Sequence, residues 1–266
     1  MINQRKYVLD LLRETGFLYN KHVDIPMEAN FHFSVDAVIP CVDKVSYQQL
    51  VSKLIYLSLT RPDIAFPTNV LSQHMVAPNA EHMVAAHRVL RYLKRTPGHG
   101  LFFTKNKDKH VQIFTYSSWA SDLHDRRSTS GYCSFVWGNL VTWRSKKQSI
   151  IARSSVEAEF RALALCLYEG MWILKILQEL FQLFCDNQSA IQIAKYPVQH
   201  DKTKHVEIDR HFIAEKIQKG VANLSYIPLT GQLADLFTKS LSKPLFDKFV
   251  SKLGLYTIYP PSCGGV

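Results

Sequence analysis

The 266-residue sequence has no long apolar run, few cysteines and a shortage of acid. Its longest apolar stretch, Ala162 to Tyr168, is cut by Glu169 and Gly170, far short of the roughly 18 residues a membrane span needs. The opening Met1-Ile-Asn-Gln-Arg-Lys is polar and offers no hydrophobic region for secretion, so an intracellular place, cytoplasmic or nuclear, is expected. Five cysteines (Cys41, Cys133, Cys166, Cys185, Cys263) stand far apart, with no Cys-x-x-Cys pair. That excludes a zinc ribbon or a disulfide framework and fits free thiols in a reducing compartment.

What is present is ordinary globular material with a basic bias. Hydrophobic residues make up 47% and charged residues 20%, enough apolar surface for a core and too little charge for disorder. Lys and Arg exceed Asp and Glu by 32 to 22, a formal charge of +10, and such a field favours polyanions, most simply nucleic acid.

Along the chain the texture changes once. Gln4 to Glu14, a stretch starting at Ser46 and ending near Arg61-Pro62, Pro67 to His74, and Ala80 to Arg95 read as helices separated by loop from His22 to Lys44. In the last helix Arg88, Arg91 and Arg95 form a cationic stripe opposite an apolar face. After the polar linker Thr104–His110, strands are expected at Val111–Tyr116, Gly131–Val136 and Leu140–Trp143, the last two turning at Trp137-Gly138-Asn139. A long helix follows from Val156 to about Leu180, then a strand Gln182–Cys185, helices Asn187–Lys195 and Lys204–Gly220, a strand Asn223–Ile227 and a closing helix from Gln232. This order predicts an α/β (α+β) protein: a mixed five-stranded sheet flanked by helices, preceded by a mainly helical segment. The domains expected are 1–105, 106–256 and a tail 257–266.

Three carboxylates sit where a strand or loop meets a helix start: Glu157, Asp186 and Asp235. Singly, each has a plain explanation, since acids suit the first helical turn, Ser154 and Glu157 have capping-box spacing, and Asp186 suits an N-cap. Together they form the kind of hard-oxygen set that binds Mg²⁺.

Longer motifs are more specific. Tyr47–Phe66 (YQQLVSKLIYLSLTRPDIAF), Arg88–Lys94 (RVLRYLK), Asp125–Tyr132 (DRRSTSGY), Cys185–Ala190 (CDNQSA), Thr203–Asp209 (TKHVEID) and Ala234–Lys239 (ADLFTK) resemble the Pol polyprotein of copia-type retrotransposons. The first part resembles the segment that follows the polymerase palm of a reverse transcriptase, the second a ribonuclease H domain. The resemblance implies a metal-dependent endonuclease, a hydrolase of the RNA strand of RNA–DNA hybrids that uses two Mg²⁺ (or Mn²⁺) ions. By motif, Glu157, Asp186 and Asp235 are the catalytic and metal-binding residues. Glu159 is set aside, because two residues along a helix turn a side chain by about 200° and both glutamates cannot face one site. The absence of any Asp-Asp pair excludes polymerase activity.

The resemblance breaks in two places. Members of the family read Tyr-Ser-Asp-Ala-Asp-Trp-Ala at the end of the first strand, whereas this chain reads Tyr116-Ser-Ser-Trp-Ala120. Two residues are gone, Ser118 stands where a carboxylate belongs, and cleavage is expected to be impaired. Asp122, the nearest acid, falls in the hairpin connection. The run Gln178–Asp186 also joins helix to strand with no loop, so the last helical turn is expected to unwind. Both departures suit a degraded element copy or an error in the gene sequence. Arg126, Arg127, Arg144, Lys146 and Lys147 surround the hairpin as candidates to grip the nucleic-acid backbone, while His205 and His211 read as surface residues. The alternative reading is a non-catalytic nucleic-acid-binding remnant; no membrane and no small-molecule cofactor is expected.

Overall fold

A computed structural model describes residues 1–34, 39–107, 109–177, 181–195 and 207–257. The chain divides into two compact units: Met1–Phe103 joined by the segment from Ser240 onward, and Thr104–Lys239.

The first unit is mainly helical, as its periodicity predicts. Its helices are α1 (Arg5–Glu14), α2 (Lys44–Ser58), α3 (Ala65–Ser72) and α4 (Ala80–Arg95). Capping fixes two of the starts. Asp43 accepts the amide of Ser46 at 2.8 Å and begins α2 two residues ahead of the expected Ser46. Asn79 and His82 exchange reciprocal bonds at α4. Leu11, Leu12, Val51, Leu54, Leu57, Leu71, Val89 and Leu90 form a dry core. Two of the three arginines of the α4 stripe are paired within this unit: Glu28 pairs with Arg88 at 2.7 Å, and Asp24 pairs with Arg95 and, at 2.7 Å, with Lys243.

Within this apolar packing lies a buried ion pair. Arg61 Nε and Nη2 donate to Asp63 at 2.9 and 2.6 Å, Nη1 and Nη2 also reach the Thr96 carbonyl and hydroxyl at 2.8 and 2.7 Å, and the Tyr92 hydroxyl donates to Asp63 at 2.6 Å. Burial works against both charges. The Asp63 carboxylate nonetheless keeps Arg61 protonated, and the guanidinium holds Asp63 below the usual carboxylate range.

Two findings depart from the expected boundaries. A small antiparallel sheet joins β1 (Ile2–Asn3), β2 (His99–Leu101) and β8 (Leu255–Thr257), with β2 in the middle. Helix α8 (Lys243–Lys252) sets Phe246 edge-on against Tyr92, ring centroids 5.6 Å apart. Residues 240–256, expected in the second domain, and Thr257, expected in the tail, therefore belong to the first unit. The tail 258–266 lies outside the described residues.

The second unit carries the expected five-stranded mixed sheet: β3 (Val111–Ser118), β4 (Thr129–Val136), β5 (Asn139–Lys147), β6 (Phe181–Cys185) and β7 (Ala222–Tyr226), in the order β5-β4-β3-β6-β7. The first three pair antiparallel, as hairpins do, and β6 and β7 add parallel to β3. Helix α5 (Ser155–Leu177) packs Phe160, Leu163 and Leu167 on Val111 and Ile113, with Ile191 of α6 (Gln188–Lys195) and Ile213 of α7 (Glu207–Gln218) closing the layer. Helix α5 is described as far as Leu177, and 178–180, where its expected end falls, lie outside the described residues. Among the described residues no helix is long and apolar enough to cross a membrane.

Removing one partner of the buried pair strands the other charge in a dry core. Asp63→Asn should cost about 3–5 kcal/mol in urea unfolding, whereas the double change Arg61→Met with Asp63→Leu should recover most of that loss. A single-variant cost below about 1 kcal/mol would mean that water screens the pair.

Candidate metal centre

Strand pairing positions the acids. The parallel register sets Phe114 opposite Phe184, their rings stacked at 4.9 Å, which brings Asp186, one residue past β6, level with Tyr116. Side chains alternate along a strand, so Tyr116 and Ser118 share the face that carries Phe114.

Asp235 lies on that face, on a single 3₁₀ turn Leu233–Phe237 instead of an α-helix. Buried Gln232 ties the turn to β3: its Nε2 donates to the Thr115 carbonyl at 2.9 Å, and its Oε1 accepts the Ala234 amide at 3.3 Å. The turn approaches β4 so closely that a Cβ on Gly131 would meet Thr238 Cγ2 at 2.6 Å and Phe237 Cβ at 2.8 Å, so the position requires glycine.

The third acid comes from α5, on the opposite face of the sheet, and it is Glu159. Its Oε1 accepts the Ser117 amide at 2.8 Å, and Cys185 Sγ lies 3.8 Å from its Oε2. Ligand atoms of Glu159, Cys185 and Asp186 lie within 4.8 Å of one another. Glu157 is turned away. It accepts the Arg153 amide at 2.8 Å, pairs with Arg161 at 2.8 Å, and its own amide donates to Ser154 Oγ. The 200° separation does admit only one glutamate, but the cap takes Glu157 and leaves Glu159 for the site.

The electrostatics are those of negative charges crowded out of water. Burial, then the charge of Asp235, pushes Asp186 up to about 6. Burial also raises Asp235, opposed by Lys239, and lifts Glu159 well above the usual carboxylate range. Tyr116 is raised by burial and then by Asp235, Asp186 and Glu159. Asp186 Oδ2 and Asp235 Oδ1 are buried without a hydrogen-bond partner. A divalent cation would satisfy both oxygens and offset the repulsion, so the donor set fits a hard metal ion.

Ser118, at the end of β3 opposite Thr129, brings no charge. Asp122 stays in the hairpin connection, capping the amides of His124 and Asp125 and pairing with Lys147 at 2.6 Å. Of the candidate basic residues, Lys147 is held by Asp122 and by Asp125 at 2.8 Å, and Arg127 lies 3.6 Å from Asp125. Arg126, Arg144 and Lys146 are exposed. His211 sits on the surface 3.8 Å from Glu207, and His205 lies outside the described residues. Sequence reasoning missed Gln232 and Gln148. The latter's Nε2 bonds Ser130 Oγ at 2.8 Å and the Ala158 carbonyl at 3.0 Å, fastening α5 to the strand ends.

No protein-family model matches the sequence. The chain is 39% identical over 272 residues to the retrovirus-related Pol polyprotein from transposon RE2 of Arabidopsis thaliana, a match covering 100% of this chain and 19% of that protein. It is 30% identical over 269 residues to the corresponding polyprotein from transposon TNT 1-94 of Nicotiana tabacum, covering 96% and 20%. The chain thus spans about a fifth of the length of these relatives. Among solved structures it is similar to LC11-RNase H1, isolated from compost, at 16% identity and a TM-score of 0.41, covering 53% of this chain and 98% of that one.

The raised Asp186 gives a pH signature. Folding favours its protonated form, so its contribution is fully present below about pH 4 and is lost as pH rises through about 6. Without divalent cations, Asp186→Asn should stabilise the protein at pH 8 by on the order of 1–2 kcal/mol, and not at pH 4. Equal effects at both pH values in chemical denaturation would contradict the crowding of charge.

Proposed function

The chain belongs to the retrovirus-related Pol polyproteins of copia-type transposons, and from that we propose that Thr104–Lys239 is a ribonuclease H-like domain. It engages RNA–DNA hybrid and descends from a metal-dependent nuclease of the RNA strand. The observation that supports the reading is the meeting of Glu159, Asp186 and Asp235 at one end of β3 and β6, with two carboxylate oxygens left unpaired. The first unit is the part following the polymerase palm, and with no Asp-Asp pair it carries no polymerase chemistry. Both units work in a reducing, intracellular setting in which the buried cysteines remain thiols.

Asp186, Asp235 and Glu159 would hold Mg²⁺ or Mn²⁺. The ion, when bound, activates a water and neutralises charge at the phosphodiester. The chain's own residues set the frame. Gln232 and Gln148 fix the 3₁₀ turn and α5 against the strand ends, and the Ser117 amide holds one Glu159 oxygen in place. Exposed Arg126, Arg144 and Lys146 position the backbone without reading sequence.

Ser118 supports a second reading, a remnant that binds hybrid without cutting it. With one acid missing, a pair of divalent cations would meet less negative charge than their mutual repulsion requires. A single cleavage assay separates the two. Inserting Asp-Ala between Ser117 and Ser118 should raise Mg²⁺-dependent cleavage of the RNA strand. Asp186→Asn or Glu159→Gln in the repaired protein should remove the gain, and Glu157→Gln should not. Full-rate cleavage by the unaltered chain, indifferent to Asp186→Asn, would overturn the reading of a centre that needs Asp186 and lacks an acid at Ser118.

Binding is dominated by charge. The logarithm of affinity for hybrid should fall linearly with the logarithm of salt concentration, and the Arg144→Ala, Lys146→Ala double variant should reduce the slope by about 2. An unchanged slope in fluorescence anisotropy would remove those two side chains from the interface.

A further inference from the structure

The acidic cluster already contains a cation belonging to the protein. Lys239 follows Asp235 by four residues, and its Nζ lies 2.9 Å from Asp235 Oδ2. The same ammonium stands 4.5 Å from the centroid of the Tyr116 ring, within cation–π range. Tyr116 comes from β3 and Asp235 from the 3₁₀ turn, so the ammonium has two anchors on separate elements. Asp235 is almost fully buried, whereas the Lys239 side chain keeps 34% of its surface exposed, leaving it an outlet to water. Only Oδ2 of Asp235 is engaged; Oδ1 has no partner.

This arrangement differs from an ordinary surface ion pair. The carboxylate is dry, the lysine stem is only partly covered, and the ring that seats the ammonium lies two residues from Ser118, on the same face of β3. Where an aspartate would add negative charge to draw in metal, the chain has a neutral hydroxyl, and nearby a positive charge is already docked. A divalent ion approaching Asp235 and Asp186 must either sit beside this ammonium or displace it toward solvent, and each course costs binding free energy.

We propose that Lys239 is a positioning residue that acts as the resident counter-cation of the acidic cluster: seated on Tyr116 and Asp235, it holds the carboxylate in place and sets a low affinity for divalent cations. The proposal rests on the reading of Glu159, Asp186 and Asp235 as a metal centre. It adds that this centre carries its own competitor.

The test is Mn²⁺ binding to the full chain, read from the loss of the free-ion signal in electron paramagnetic resonance, so that no catalytic turnover is needed. Lys239→Met should tighten Mn²⁺ binding by about tenfold, because it removes a like charge from the site. Lys239→Arg, which keeps the charge and ring contact, should stay within about twofold of the unaltered chain. A Lys239→Met variant that binds Mn²⁺ no more tightly, or more weakly, overturns the proposal, and so does an equal change in Lys239→Arg. Asp186→Asn separates the two layers of the argument. If it weakens Mn²⁺ binding while Lys239→Met has no effect, the metal centre stands and the counter-cation role fails. If Mn²⁺ binding is absent in every variant, or indifferent to Asp186→Asn, the metal centre itself fails. Circular dichroism melting of each variant without metal confirms that the comparison is between folded proteins.

Discussion

The parallel pairing of β3 with β6 is the interaction on which the candidate centre depends. It joins segments far apart in sequence, so its loop-closure entropy must be met by burial elsewhere. The Phe114–Phe184 stack and the layer of Phe160, Leu163 and Leu167 over Val111 and Ile113 supply that burial. Once the register is set, Asp186 has no freedom to sit anywhere but beside Tyr116. A slip of one residue would turn Phe184 and Asp186 to the other face together. The geometry of the acids is thus a by-product of hydrophobic register, with Gln232 and Gln148 bringing the 3₁₀ turn and α5 to the same edge.

Gathering three carboxylates in that way is unfavourable in itself. Burial raises each of them, and neighbouring carboxylates add to the effect at Glu159 and Asp186. A structure that tolerates such a cluster needs a compensating charge, and here Lys239 supplies part of it. The contrast with Arg61 and Asp63 is instructive. In that pair every donor and acceptor is matched, two further groups, Thr96 and Tyr92, close the network, and charges of opposite sign hold one another. The cluster leaves two oxygens without partners. A fully satisfied network serves the fold, whereas an unsatisfied one is a place where something else can bind.

Much of this was legible from residue order alone. The five strands, their order of appearance and the helical first segment follow from periodicity and turn residues, and Asp186 and Asp235 were marked by motif. The choice between Glu157 and Glu159 was not legible from helical rotation, because rotation says that one acid is excluded without saying which. Two local signals bear on the phase. Ser154 and Glu157 have capping-box spacing, and Glu159 stands four and seven residues before Leu163 and Cys166, both buried against the sheet. A residue on the buried stripe of a helix faces the sheet, and its carboxylate reaches the strand ends. The basic residues were marked by their place around the hairpin, but that place could not show that Asp122 and Asp125 hold Lys147.

The boundary of the second unit was misplaced for a related reason. A closing helix from Gln232 merges two elements that the chain keeps apart. The turn bearing Asp235 ends by Phe237, and α8 begins anew at Lys243 with Pro244 in its first turn, a position where proline's missing N–H costs nothing. Between them the chain passes from one unit to the other. Because β8 pairs with β2 and Phe246 packs on Tyr92, the first unit is completed only by residues that follow the second, so Thr104–Lys239 is inserted within it. A fragment cut at 106–256 would carry α8 and most of β8 with no partner and leave β2 with an open edge. Stability in the first unit therefore depends on a segment that composition alone assigns elsewhere, and the two units are bound by chain connectivity even where their chemistry differs.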